Sequence, residues 1–153
     1  MPKITPFLWY DNNAEDAAKF YTSLFKNSKI LSQLRAGGKV QTVTFELEGQ
    51  KFIALNGGPH FQLNESFSMF VNVDTQEEVD ELWQKLTADG GAESRCGWLK
   101  DKFGLSWQII PNALMQKMSD PDPEKANAVF QAMMKMNKII IADLEKAYQG
   151  KAA

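Results

Sequence analysis

Few side chains in this sequence are equipped for chemistry. There is one histidine, His60, held in Gly57-Gly58-Pro59-His60-Phe61, and one cysteine, Cys96. A histidine titrates near neutral pH and suits general-base work, but it needs an acid, a nucleophile or a metal beside it, and the sequence offers no such companion. His60 therefore reads first as an exposed rim residue, and second as a base in a linker folded over a pocket mouth. Cys96 alone can form neither an internal disulfide nor a thiolate cage for zinc, which fits a reducing, cytoplasmic setting. It reads as a small, buried or half-buried strand residue. Trp9, Trp98 and Trp107 fall in strand-like segments, where indoles either fill a core or line a site for a flat, apolar ligand. Trp83 belongs to a helix stripe and reads as core, and Lys100-Asp101-Lys102 reads as solvated turn charge.

The bulk composition excludes several classes. Seventeen Lys and Arg against nineteen Asp and Glu give a net charge of −2, with the basic residues scattered singly, so nucleic acid is not an expected partner. No apolar run approaches the ~20 residues that span a bilayer, so no membrane partner is expected. Met1-Pro2-Lys3-Ile4 does not read as an export signal, so none is expected, and with 44% hydrophobic residues the 153-residue chain can bury a core without disulfides or metal.

The candidates must be positioned by an α+β arrangement. Ile4 to Tyr10 reads as a strand. The helix after it is marked by Asn12-Asn13, with Ala14, Ala17, Ala18, Tyr21, Leu24 and Phe25 on one face. Strands follow at Lys29 to Arg35, Val40 to Glu48 and Lys51 to Leu55, joined by short glycine-bearing turns. After a linker the order returns. Strand Phe67 to Val73 precedes a helix from Thr75 to Asp89 with a Thr75/Glu78 capping box and a Val79, Leu82, Trp83, Leu86 stripe, then strands Ala92 to Arg95, Gly97 to Lys100 and Leu105 to Ile110. Phe7 to Asp11 aligns with Phe70 to Asp74 at an offset of 63 residues, and the helix stripes match after a one-residue slip. Past Pro111 a weak helix is expected over Ala113 to Met118. One amphipathic helix of about 25 residues is expected from the Asp122 cap to Gly150, long enough to need a greasy surface to cover.

Thr5-Pro6-Phe7-Leu8-Trp9-Tyr10, Ala14-Glu15-Asp16-Ala17 with Phe20-Tyr21, Cys96 to Gly104 with Ser106-Trp107-Gln108, and the Asp120-Pro121-Asp122-Pro123 helix resemble the PhnB-like branch of the vicinal-oxygen-chelate (glyoxalase/bleomycin-resistance/dioxygenase) superfamily, over essentially the whole chain. The resemblance implies one domain, 1–153, of paired βαβββ modules: module one 1–58, module two 66–111 and a helical extension 112–150. It also implies a homodimer and a cup-shaped sheet whose strands carry Trp9, Asn56, Trp98, Trp107 and Gln108, which makes these the ligand-binding candidates, with His60 joining from its linker.

Metal-dependent members place four His, Glu or Gln ligands in the cup. The resemblance carries those positions to Thr5 or Pro6, to or beside Ala54, to Ser68 and to Gln108, and only Gln108 is a plausible ligand. No cofactor is therefore expected. The leading function is a metal-free small-molecule-binding protein of the bleomycin-resistance kind. The alternatives are a lyase, isomerase or dioxygenase using a divalent metal through residues such as His60, Glu46 and Gln108, and a demethylubiquinone-type methyltransferase, the name members often carry. No glycine-rich strand-to-helix turn supports the last.

Overall fold

Val43, Phe45 and Leu47 are buried and alternate with half-buried Thr42, Thr44 and Glu46, the period-two pattern of a strand with one face against a core. The strand belongs to the first of two compact units into which the computed structural model divides the chain, at Leu63 and Asn64; the structure describes residues 2–150.

The first unit runs β1 (Phe7–Tyr10), α1 (Ala14–Leu24), β2 (Lys29–Ala36), β3 (Lys39–Leu47) and β4 (Gln50–Asn56). The sheet order is β1-β4-β3-β2, with β1 parallel to β4 and the other pairs antiparallel. Ala14, Ala17 and Ala18 let α1 approach the sheet closely. Tyr21 fills the remaining gap, 6.1 Å from the Phe45 ring, its hydroxyl sharing a 3.1 Å hydrogen bond with that of Tyr10. Asn13 precedes the helix but makes no side-chain cap. Asn56, at the end of β4, caps it from across the unit: its Oδ1 accepts from Ala14 N–H at 2.8 Å, and its Nδ2 donates to Val40 O at 3.0 Å.

The second unit repeats the order with β5 (Ser68–Val73), α2 (Gln76–Thr87), β6 (Ala92–Glu93), β7 (Trp98–Lys100) and β8 (Ser106–Pro111). Its sheet runs β5-β8-β7-β6, with β5 parallel to β8. The capping box forms as read, with Thr75 Oγ accepting from Glu78 N–H at 3.2 Å and Glu78 Oε1 accepting from Asp74 N–H at 3.2 Å. Val79, Leu82, Trp83 and Leu86 are the buried stripe of α2. Phe7 faces Ile53 in the first unit as Phe70 faces Gln108 in the second, so the weak sequence repeat is a repeat of register.

Two expectations change here. Cys96 is half-buried but lies in a turn, not a strand. Cys96 (φ 59°) and Gly97 (φ 86°) are the central residues of an Arg95-to-Trp98 turn closed by a 3.0 Å bond, the positive-φ pattern of a two-residue hairpin. A side chain at Gly97 would press on Ile110, 2.8 Å from its Cδ1. The C-terminal extension is helical but is not one rod: it folds as α3 (Asn112–Met118), α4 (Pro123–Met133) and α5 (Ile141–Gly150). Asp122 caps α4 as expected, accepting from Glu124 N–H at 3.0 Å.

The break between α4 and α5 has tertiary causes. Cys96 N–H and Gly97 N–H donate to Met136 O and Asn137 O at 2.8 and 2.7 Å, and Arg95 Nη2 donates to Met134 O at 2.8 Å. Gln76 holds both sides of Ile140, donating to Ile139 O at 3.0 Å and accepting from Ile141 N–H at 2.7 Å. These partners replace the helical ladder, and Val129, Met136, Ile139 and Leu144 of the extension are buried in one cluster with Ile110 and Leu114.

Candidate functional site

Strand alternation sorts the second sheet into two faces. Met69, Val73, Leu99, Trp107 and Ile109 are buried on one. Ser68, Phe70, Trp98, Lys100, Ser106 and Gln108 share the other. The register places Ser68, Ser106 and Lys100 in one cross-strand row and Phe70, Gln108 and Trp98 in the next. Gln108 Nε2 donates to Ser68 Oγ at 2.9 Å. Ser106 is 1% exposed, and its hydroxyl has no hydrogen-bond partner. Phe70 remains 48% exposed and Trp98 is half-buried, so two aromatic rings flank Gln108 beside a short polar row. Lys100 Nζ is held 3.0 Å from Glu65 Oε2, and its hydrogen bond keeps the Glu65 carboxyl below the usual carboxylate range.

Trp107, expected in the pocket, lies on the opposite face from Gln108 and is 1% exposed. Its Nε1 donates to Asp101 Oδ2 at 2.8 Å. Asp101, expected as solvated turn charge, is 2% exposed. Its Oδ1 accepts from Phe103 N–H at 2.8 Å and Leu105 N–H at 3.0 Å, so three N–H groups satisfy one buried carboxylate. The pair locks the β7–β8 hairpin that carries Trp98 and Gln108. An acidic residue inside a charged turn, two and four positions before amides it can reach, is a local signal that the charge pattern masked.

The remaining candidates belong to the first unit. Trp9 Nε1 donates to Gly58 O at 2.9 Å, and Phe61 packs edge-on against the Trp9 ring, 4.9 Å between centroids. A Cβ at Gly57 would overlap the indole, so glycine is what lets the loop close on Trp9. His60 is exposed within that loop. Asn56 has its amide committed to Ala14 and Val40 and acts in capping. The structure thus brings Trp9, Asn56 and His60 to one end of the first sheet, and Trp98 and Gln108 to one face of the second.

The donor set does not fit a divalent ion. Ser68 and Gln108, the second unit's two family-implied ligand positions, are a hydroxyl and a neutral amide already bonded to each other. In the first unit the register counterpart of Gln108 is Ile53, beside the expected Ala54, and Thr5 and Pro6 bring no carboxylate or imidazole. Glu46 faces Lys51 at one end of β4, whereas the His60 loop leaves the other end after Asn56, roughly 16 Å away at the rise of a strand, so these two do not share an ion. Among the described residues no three His, Cys, Asp or Glu side chains form a metal-holding group.

A sequence model of the 3-demethylubiquinone-9 3-methyltransferase family matches residues 2–110. The chain belongs to that family. The solved structure of a Bacillus cereus PhnB protein, described as a "Putative 3-demethylubiquinone-9 3-methyltransferase", is 36% identical, with a TM-score of 0.67 over 72% of this chain and 99% of the other. A Pseudomonas aeruginosa protein matches at 18% identity and TM-score 0.60, over 72% and 98% of the two chains. A possible glyoxalase from Bacillus cereus matches at 14% identity and TM-score 0.51, over 72% and 98%. These likenesses establish the glyoxalase/bleomycin-resistance fold. No curated protein matches the chain.

The family match stops at residue 110, so α3, α4 and α5 lie beyond it, a narrower likeness than the whole-chain resemblance read from sequence. A nucleoside-type methyl donor finds no glycine-rich strand-to-helix turn here: Asp11-Asn12-Asn13 and Asp74-Thr75 contain no glycine where a ribose would need close backbone approach. Among the described residues no helix is long and apolar enough to cross a membrane.

Proposed function

We propose that this chain is a small-molecule-binding protein that holds an organic ligand without a metal ion, on the β5-β8-β7 face bearing Ser68, Phe70, Trp98 and Gln108. The observation that carries the reading is the Gln108–Ser68 hydrogen bond between an exposed Phe70 ring and a half-buried Trp98. It is a neutral polar pair with apolar walls, suited to orient a ring compound and unsuited to a dication. Titration of the full chain with ring compounds and with S-adenosylmethionine, read by tryptophan emission and NMR, tests it. Ring compounds are expected to shift Trp98 and Gln108, and S-adenosylmethionine to shift nothing. The reverse result would favour methyl transfer.

The working unit is a homodimer in this reading. Phe130, Met134 and Met115 leave apolar area exposed on the extension, surface that a second copy would cover. Light scattering at micromolar concentration should return twice the chain mass, and a monomer mass removes the dimer.

A further inference from the structure

Among the described residues two buried side-chain polar atoms have no hydrogen-bond partner, Trp83 Nε1 and Ser106 Oγ. Trp83 belongs to the core stripe of α2, where an indole supplies bulk whatever its nitrogen does. Ser106 has no such excuse. A buried hydroxyl left unpaired costs free energy that alanine, of nearly the same volume, would not incur. Strand alternation puts Ser106 on the same face as Gln108, one cross-strand row away, next to Ser68 in the register.

We infer that Ser106 is the hydrogen-bonding anchor for the ligand, and that the ligand is an uncharged ring compound bearing a hydroxyl or carbonyl oxygen. The inference rests on the binding face proposed above and specifies its chemistry. With Gln108 Nε2 committed to Ser68, Gln108 Oε1 is left as an acceptor and the Ser68 hydroxyl hydrogen as a donor. Ser106 adds a group that both donates and accepts. Among the described residues of the face the cation is Lys100, held 3.0 Å from Glu65 with both side chains open to solvent. A carboxylate or phosphate entering here would lose water and gain a counter-charge only by displacing Glu65, and an ammonium would have to draw Glu65 away from Lys100. A neutral ring oxygen can satisfy the row, with Phe70 and Trp98 covering the ring.

The test uses the full chain, wild type and Ser106→Ala, with 4-hydroxyacetophenone and hydroquinone as neutral probes and 4-hydroxybenzoate and phenyl phosphate as anionic ones. Binding is read by NMR shifts of Ser68, Phe70, Trp98 and Gln108, and stability by thermal melting. The neutral compounds should bind at least tenfold more tightly than the anions. Ser106→Ala should weaken them about 3- to 10-fold, the worth of one neutral hydrogen bond, while melting at the same temperature or higher. A lower melting temperature makes Ser106 a structural residue and overturns its role. Unchanged affinity in the variant does the same, and anions bound as tightly as the neutral compounds overturn the ligand class while leaving the binding face intact. If none of the four compounds shifts those resonances, the binding face itself falls, and this inference with it.

Discussion

Gln108 Nε2 donates to the Ser68 hydroxyl at 2.9 Å across the parallel β5–β8 pair. The two residues occupy adjoining strands on one face, so each fixes the rotamer of the other and presents a settled polar surface between Phe70 and Trp98. Gln108→Ala removes that order without disturbing the core on the other side of the sheet. The expected result is a loss of about 1 kcal/mol or less in urea unfolding, for one half-buried neutral hydrogen bond, with ring-compound affinity lowered roughly tenfold in tryptophan titrations.

Asp101 carries more. Its carboxylate takes Phe103 N–H, Leu105 N–H and the Trp107 indole N–H while 2% exposed, so cutting it leaves the buried Leu105 and Trp107 donors and the half-buried Phe103 N–H without their acceptor. Asp101→Ala should cost about 3 kcal/mol, the scale of hydrogen bonds to a charged group. Trp107 emission should shift red as the hairpin loosens. A change under about 0.5 kcal/mol, the range of ordinary surface substitutions, would return Asp101 to the solvated turn that its flanking lysines suggest.

Asn56 ties three elements together through one amide. Asn56→Ala removes the cap on Ala14 and the bond to Val40, and is expected to cost about 1 to 2 kcal/mol. Binding at the second-unit face should be unaffected. A loss of ligand affinity with unchanged stability would instead make Asn56 a contact residue.

The extension has a pH window. Tyr148 donates to Asp120 Oδ2 at 2.5 Å; this bond holds the Asp120 carboxyl below its ordinary value and raises the Tyr148 phenol above its own. The depressed carboxyl contributes stability present above its unfolded pKa and lost as pH falls through the folded one. The raised phenol contributes stability present below its unfolded pKa and lost as pH rises through the folded one. The contact therefore acts between the two. Tyr148→Phe should flatten both flanks of the stability–pH curve, measured by chemical unfolding from pH 3 to 11; an unchanged alkaline flank would show that the bond does not form.

What the sequence made legible was periodic or local. The two βαβββ orders, the Thr75/Glu78 box and the Asp122 cap need only neighbouring residues, and each lies where its pattern put it. What stayed hidden was set by partners far along the chain. Asn56 caps a helix 42 residues earlier, and Gln76 breaks the expected terminal helix 63 and 65 residues later by taking its backbone groups. Helical spacing in the terminal segment marked Val129 and Leu144, which are buried, but with the chain broken between α4 and α5 it is Met136 and Ile139 that join them in the core while Phe130 stays exposed. Of the candidate site, Trp98 and Gln108 were picked out from the sequence, and the register that makes them neighbours on one sheet face came from the structure. Trp107 was misplaced because one step along a strand reverses the side chain, and Ser106 drew no notice because its one distinguishing feature, an unpaired buried hydroxyl, exists only in three dimensions.

The central claim is that the ligand is held without a metal, and the direct measurement is equilibrium dialysis of the purified full chain against Mn²⁺, Ni²⁺ and Zn²⁺ followed by elemental analysis. The account predicts well under one ion per chain for each metal, with no change on Gln108→Ala. One ion retained per chain, and lost in Gln108→Ala, would contradict it and make Gln108 a metal ligand.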